Sequence, residues 1–158
     1  MAQIDRPILP PYLYRYRPLS NDEILAREIG AIKEQYIWLS EYRALNDPME
    51  GLYEASRRLQ AQSSYDEVAK KLLHAKANVG ICSFSDTKED ELMWVHYASD
   101  YAGICVAYRP QPLVDGLPDE AHLVRLAYGS TPPTISGLDA PDPQTAVRKI
   151  LLRGEQLW

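Results

Sequence analysis

The chain has 158 residues, 46% of them apolar and 25% charged, with a net charge of -5 at pH 7. That length suits a single domain with one sizeable core, and the acidic balance argues against non-specific binding to nucleic acid or anionic lipid, both of which reward a basic surface. No apolar run nears the roughly 18 residues that a membrane helix needs, and the opening MAQIDRPILPPYLYRYRP places prolines and arginines where a secretory signal would carry an apolar stretch. A cytoplasmic protein without a membrane span is expected.

Residues 1–11 hold three prolines and no apolar periodicity, which predicts an extended arm ahead of one α+β domain over 12–158. From Tyr12 to Arg17, alternation puts Tyr12, Tyr14 and Tyr16 on one face of a strand and Leu13, Arg15 and Arg17 on the other. Pro18 ends it. Ser20 and Glu23 form a capping box ahead of Ile24, Leu25, Ile29 and Ile32, which predicts a helix to about Glu34. The aromatic and β-branched stretch Tyr36 to Ser40 predicts a second strand, and LNDPMEG (45–51) carries turn residues in turn order.

A helix is expected over Tyr65 to Ala77, with Val68, Leu72 and Leu73 at apolar spacing and Lys70, Lys71 and Lys76 toward solvent. Val79 to Phe84 reads as a strand, Lys88 to Ala98 as a helix, and Gly103 to Tyr108 as a strand whose continuous apolar run suits the densest part of the core. Ala121 to Tyr128 supplies a further strand, and STPPTISGLDAPDP (130–143) reads as a loop. Asp142 as cap, Pro143 at the first position, then Val147, Ile150 and Leu151 with Gly154 as the stop, predict a last helix. The sum is a mixed or antiparallel sheet flanked by helices.

The two cysteines, Cys82 and Cys105, sit in strand-like runs and read as buried, unbridged thiols rather than a metal site. Eleven tyrosines against one phenylalanine suggest a wet cleft, since a tyrosine ring packs while its hydroxyl lines a polar pocket.

The blocks LYRYRP (13–18), IWLS (37–40), LNDPMEG (45–51), ICSFS (81–85) and LMWVHYASDYAGICVAYR (92–109), taken in order and spacing, resemble the family called domain of unknown function 2971. Its members carry an aromatic-basic strand, an Asn-Asp-Pro turn with a Glu, and a Met-Trp-x-His-Tyr-Ala helix leading to a Gly-Ile-Cys strand. They continue past the last helix into a tract with Trp, Tyr, Glu and Arg, whereas this sequence stops at Trp158. The chain is therefore expected to lack the family's C-terminal tract. The opening strand, helix and short aromatic strand are also similar to the first half of ADP-ribosyltransferase folds. That resemblance implies NAD as ligand, a basic first-strand residue on its ribose, an aromatic ring on nicotinamide and a late Glu at the reacting carbon. Arg15 aligns with the first of these roles.

Arg15 and Arg17 lie two residues apart on one strand face, so their forks suit a phosphate or carboxylate. They suit equally a pairing with structural carboxylates such as Asp47 or Glu50. Asn46 and Asp47 fit a turn held by their own side-chain bonds, while Glu50 beside two arginines would serve as acid, base or acceptor of a ribose hydroxyl. His96 reads either as a core histidine bonded to backbone or as a general base. Tyr16 and Trp38 are the aromatic residues expected to line the cleft. No phosphate-cradling glycine loop, zinc pattern or serine nucleophile elbow occurs in the sequence.

Two functions follow. One is an NAD-binding, ADP-ribosyltransferase-like enzyme with His96 and Glu50 in catalysis and Arg15, Tyr16, Arg17, Trp38, Asn46 and Asp47 on the ligand. The other is a non-catalytic module whose arginine-tyrosine cleft recognises a small anionic ligand or a protein partner. Leu157 and Trp158 follow a helix stop with nothing behind them to cover, which suggests a homo-oligomer.

Overall fold

The computed structural model describes residues 9–45, 51–129 and 131–155. In chain order these form β1 (Leu13–Arg17), α1 (Asp22–Glu34), β2 (Ser40–Glu41), a 3-10 turn (Tyr42–Ala44), β3 (Glu54–Ala55), α2 (Arg57–Gln60), α3 (Tyr65–Ala77) and β4 (Gly80–Ile81). There follow α4 (Glu91–Tyr97), β5 (Ile104–Tyr108), α5 (Pro110–Asp115), β6 (Ala127–Gly129), β7 (Thr134–Ile135), α6 (Pro143–Leu151) and β8 (Arg153–Glu155). The class is α+β. Among the described residues the strands pair as four two-stranded ladders, two antiparallel (β1 with β5, β2 with β4) and two parallel (β3 with β7, β6 with β8). No described helix is long and apolar enough to cross a membrane.

The chain gathers into two compact units, one from the residues up to Trp38 with Cys82–Leu123, the other from Leu39–Ile81 with Val124 onward. In the first, β1 and β5 run antiparallel with Arg15 opposite Val106 and Tyr16 opposite Cys105. Tyr14 and Ser85 exchange backbone bonds of 2.8 Å in each direction at the ladder's margin. The alternation expected for β1 is present. α1 starts one residue later than the Ser20 capping box implies, because the Asn21 side chain, an acceptor at least as good as a serine hydroxyl, takes the Ile24 amide at 2.8 Å. Asn21→Ala should therefore cost about 1 kcal/mol of stability in urea denaturation, while Ser20→Ala should leave the midpoint unmoved.

β5 departs from its expected place in the core. A two-stranded ladder has no interior strand, so the apolar run Ile104–Tyr108 is half covered rather than buried on both faces. α4 likewise buries no residue, and Leu92 stays 54% exposed. Both cysteines are free but only half-buried, for the same reason.

The tightly packed core belongs to the second unit. Leu59, Leu72, Ala75, Ile135, Ala146, Val147 and Ile150 are all buried there, chiefly where α3 meets α6. Asp142 caps α6 by accepting from the Gln144 and Thr145 amides at 3.1 Å each, with Pro143 in the first turn as expected. Ile135 falls inside the stretch expected to be a loop. Its parallel pairing with Ala55, and the bond from the Ser56 amide to its carbonyl at 2.8 Å, make a two-residue strand too short for any pattern to show between prolines. Lys76, expected at the surface, is buried. Its ammonium donates to the Gly51 carbonyl at 2.8 Å and lies 4.3 Å from the Tyr42 ring centroid, so a carbonyl and a π face replace water around the charge.

Candidate functional site

The alternation of β1 sorts the first unit's chemistry onto two faces. Leu13, Arg15 and Arg17 share one side with their cross-strand partners Tyr108, Val106 and Ile104, while Tyr14 and Tyr16 share the other with Ala107 and Cys105. Arg15 is only 7% exposed. One terminal nitrogen donates to the Trp38 carbonyl at 2.7 Å, and the Tyr108 hydroxyl lies within electrostatic reach of the same guanidinium. Among the described residues Arg15 meets the neutral Trp38 carbonyl, and Asp47 and Glu50, the acids expected to pair with it, lie outside them.

The carboxylate of this face is Glu28. It stands four residues after Ile24 and three before Ala31, in the middle of the less exposed stripe of α1, and is 7% exposed. Arg17 donates to its Oε1 at 2.5 Å and Arg27 at 2.9 Å. Burial alone would raise its pKa, but the two bonds and the two positive charges outweigh burial and hold the carboxyl below its usual range. Arg27 also lies over the Trp38 ring, 5.9 Å from its centroid. Two guanidiniums therefore share one carboxylate. The Nε of Arg17 is buried and has no hydrogen-bond partner among the described residues.

Cys82 sits within electrostatic reach of Arg15, Arg17 and Glu28. Burial pushes its thiol up, and the arginines pull against that rise without reversing it. A protonated thiol at neutral pH is a poor nucleophile. Beside it, Phe84 meets Tyr108 edge-to-face at 5.4 Å and closes the apolar flank of the cluster.

The expected site residues are distributed as follows. Arg15, Arg17 and Trp38 come together, joined by Arg27 and Glu28, which the sequence reading missed. Tyr16 does not join them. It is buried on the opposite face, where its hydroxyl donates to the Thr87 carbonyl at 2.9 Å and its ring meets Trp94 edge-to-face at 5.3 Å. That contact also places α4 on the tyrosine face, and His96, two residues from Trp94 on a helix, is exposed. The ladder thus lies between His96 and the arginines, and His96 is not the core histidine that was one expectation. An alternating strand and a helical half-turn decide both corrections. Asn46, Asp47 and Glu50 lie outside the described residues, as do Leu157 and Trp158. The signal that could have found Glu28 is a lone acid at apolar spacing on a helix that follows an arginine strand.

No family model, curated protein or solved structure matches the chain.

Proposed function

We propose that the first unit is a binding module for a small phosphate-bearing anion, held by Arg15, Arg17 and Arg27. One observation carries this reading: Arg17 and Arg27 share the one carboxylate of Glu28 while the buried Arg15 answers a neutral carbonyl, so among the described residues the cluster holds a positive surplus in a poorly solvated place. Uncompensated buried charge is costly, and a guanidinium fork matches a phosphate in geometry as well as charge. An incoming anion would balance the surplus, with Arg27 and the half-exposed Trp38 at the lip and Arg15 behind them. The reading needs no proton transfer, which agrees with a site that holds neither His96 nor a second described acid.

A narrower reading keeps the resemblance to domain of unknown function 2971 and to ADP-ribosyltransferases. In it the anion is the diphosphate of NAD in a cytoplasmic setting, and Glu50 supplies the carboxylate that chemistry would need. The Trp38 ring favours it, being 50% exposed beside Arg27 where the planar end of a dinucleotide could stack.

Thermal shift at constant ionic strength with inorganic phosphate, ADP and NAD separates these readings. A ligand at a hundred times its Kd stabilises by about 2.7 kcal/mol, so a saturable rise in melting temperature is expected for phosphate-bearing ligands over a chloride control. Arg27→Ala should remove the rise without unfolding the protein. Equal curves for phosphate, ADP, NAD and chloride would refute the binding module. A rise for all three phosphates with no consumption of NAD would leave the module and dismiss the enzyme.

A further inference from the structure

The tyrosine face carries a site of its own. Tyr12, Tyr14, Trp94, Cys105, Ala107 and Lys88 line an open groove of about 310 Å³. That size lies at the lower end of small-molecule sites, and so does the composition, mostly ring and aliphatic surface with a single cation. Tyr12 and Tyr14 stand 6.3 Å apart at 42°, forming a ribbed wall rather than a filled core.

The opposite wall is braced. Trp94 spends its indole N–H on the Lys88 carbonyl at 2.9 Å. Tyr101 lies flat against it, with 5.7 Å between centroids and 5° between planes. The turn that sets Tyr101 there runs through three consecutive left-handed residues, Ser99 (φ 49°), Asp100 (φ 53°) and Tyr101 (φ 65°). That conformation is unfavourable for residues other than glycine, and such strain persists only where the surroundings over-determine it. The chain leaves the turn through Gly103, where a Cβ would stand 2.3 Å from the Arg17 carbonyl oxygen. Nearby Asp90 caps α4, its Oδ1 accepting from the Leu92 and Met93 amides at 2.9 and 3.2 Å.

We propose that this groove binds a planar aromatic acid, its ring lying among Tyr12, Tyr14 and Trp94 and its carboxylate meeting the Lys88 ammonium. One cation in an otherwise apolar groove matches one negative charge on an otherwise apolar ligand. The site is independent of the arginine face, which lies across the ladder.

Anthranilate is the probe, with aniline as the same ring without the acid. Calorimetric titration of the full chain should saturate with anthranilate. Iodoacetamide labelling read peptide by peptide should then slow severalfold at Cys105, on the groove floor, and stay unchanged at Cys82, on the other face. Lys88→Ala and Lys88→Gln should each weaken anthranilate at least tenfold and leave thermal stability unaltered, since the side chain is exposed. Aniline should bind the wild type as weakly as anthranilate binds those variants. Failure of anthranilate to saturate, equal protection of Cys82, or equal affinity for aniline would each overturn the proposal, the last by showing adhesion to apolar surface alone.

Discussion

Glu28→Ala is expected to be the most destabilising charge change in the first unit, lowering stability by about 3 to 5 kcal/mol, the usual range for removing one partner of a buried pair. The side chain is almost wholly covered and answers two guanidiniums at 2.5 and 2.9 Å. Its loss leaves Arg17 and Arg27 together with Arg15 and no carboxylate from the described residues. Glu28→Gln should cost less, because an amide oxygen still accepts one bond. The pH dependence has a definite sign. The folded pKa lies below the unfolded value, so the stabilisation is complete above the ordinary carboxylate range near about 4.3 and disappears as pH falls through the lowered folded value. Urea midpoints of wild type and Glu28→Gln should therefore converge as the solution is acidified below about pH 5. Parallel curves throughout would mean that Glu28 carries no net pairing. Added phosphate should restore part of the stability lost by Glu28→Ala if the arginines bind anions, and a lack of rescue beside an unchanged wild-type melting temperature would point to a purely structural cluster.

The arginine face shows how far a sequence can lead. Two arginines two apart on an alternating strand must share a face, and they do. Which acid meets them is a tertiary question. Asp47 and Glu50, the acids expected under one of the two readings, lie outside the described residues, and the described partner is Glu28, an acid in the apolar stripe of a helix. Local spacing marks that acid as unusual, but only the packing of α1 on β1 says what it answers. Tyr16 and His96 fail as cleft residues for a related reason. Being near Arg15 in sequence or motif says nothing about side, and one residue of strand or two of helix is enough to turn a side chain away.

The strands were harder to read than the helices. The bounds of α3 match the expectation, and α1 and α6 fall within a residue or two, because caps and 3.6-residue spacing are local signals. A strand exists only where it finds a partner. Tyr36 to Leu39 has the right composition but pairs as a strand with nothing among the described residues, where Ser40–Glu41 joins β4. Thr134–Ile135 has almost no strand signal and pairs with β3, since a ladder of two residues needs backbone geometry and no periodicity. The short helices α2 and α5 are too brief for a helical period to mark them.

The core position makes the second large prediction. Apolar density along the sequence peaks around α4 and β5, which would make Leu92 or Val95 costly to truncate. In the structure Leu92 and Val95 are 54% and 41% exposed, whereas Ile150 of α6 is fully buried among Leu59, Leu72, Ala75, Ile135 and Val147. Truncating a buried isoleucine removes transfer free energy and leaves a cavity that neighbours fill only in part, for a cost of about 2 to 5 kcal/mol. Ile150→Ala should fall in the upper half of that range, because α6 is braced at one end by the Asp142 cap and along its side by Lys149 on Asp139 at 3.1 Å, which limits collapse into the void. Ile150→Val should cost about 1 kcal/mol, and Leu92→Ala and Val95→Ala no more than about 0.5 kcal/mol each, as surface changes do. Urea denaturation followed by far-ultraviolet circular dichroism ranks the four variants. If Leu92→Ala lowers stability as much as Ile150→Ala, α4 is a core helix after all and the placement of the hydrophobic core on α3 and α6 is wrong.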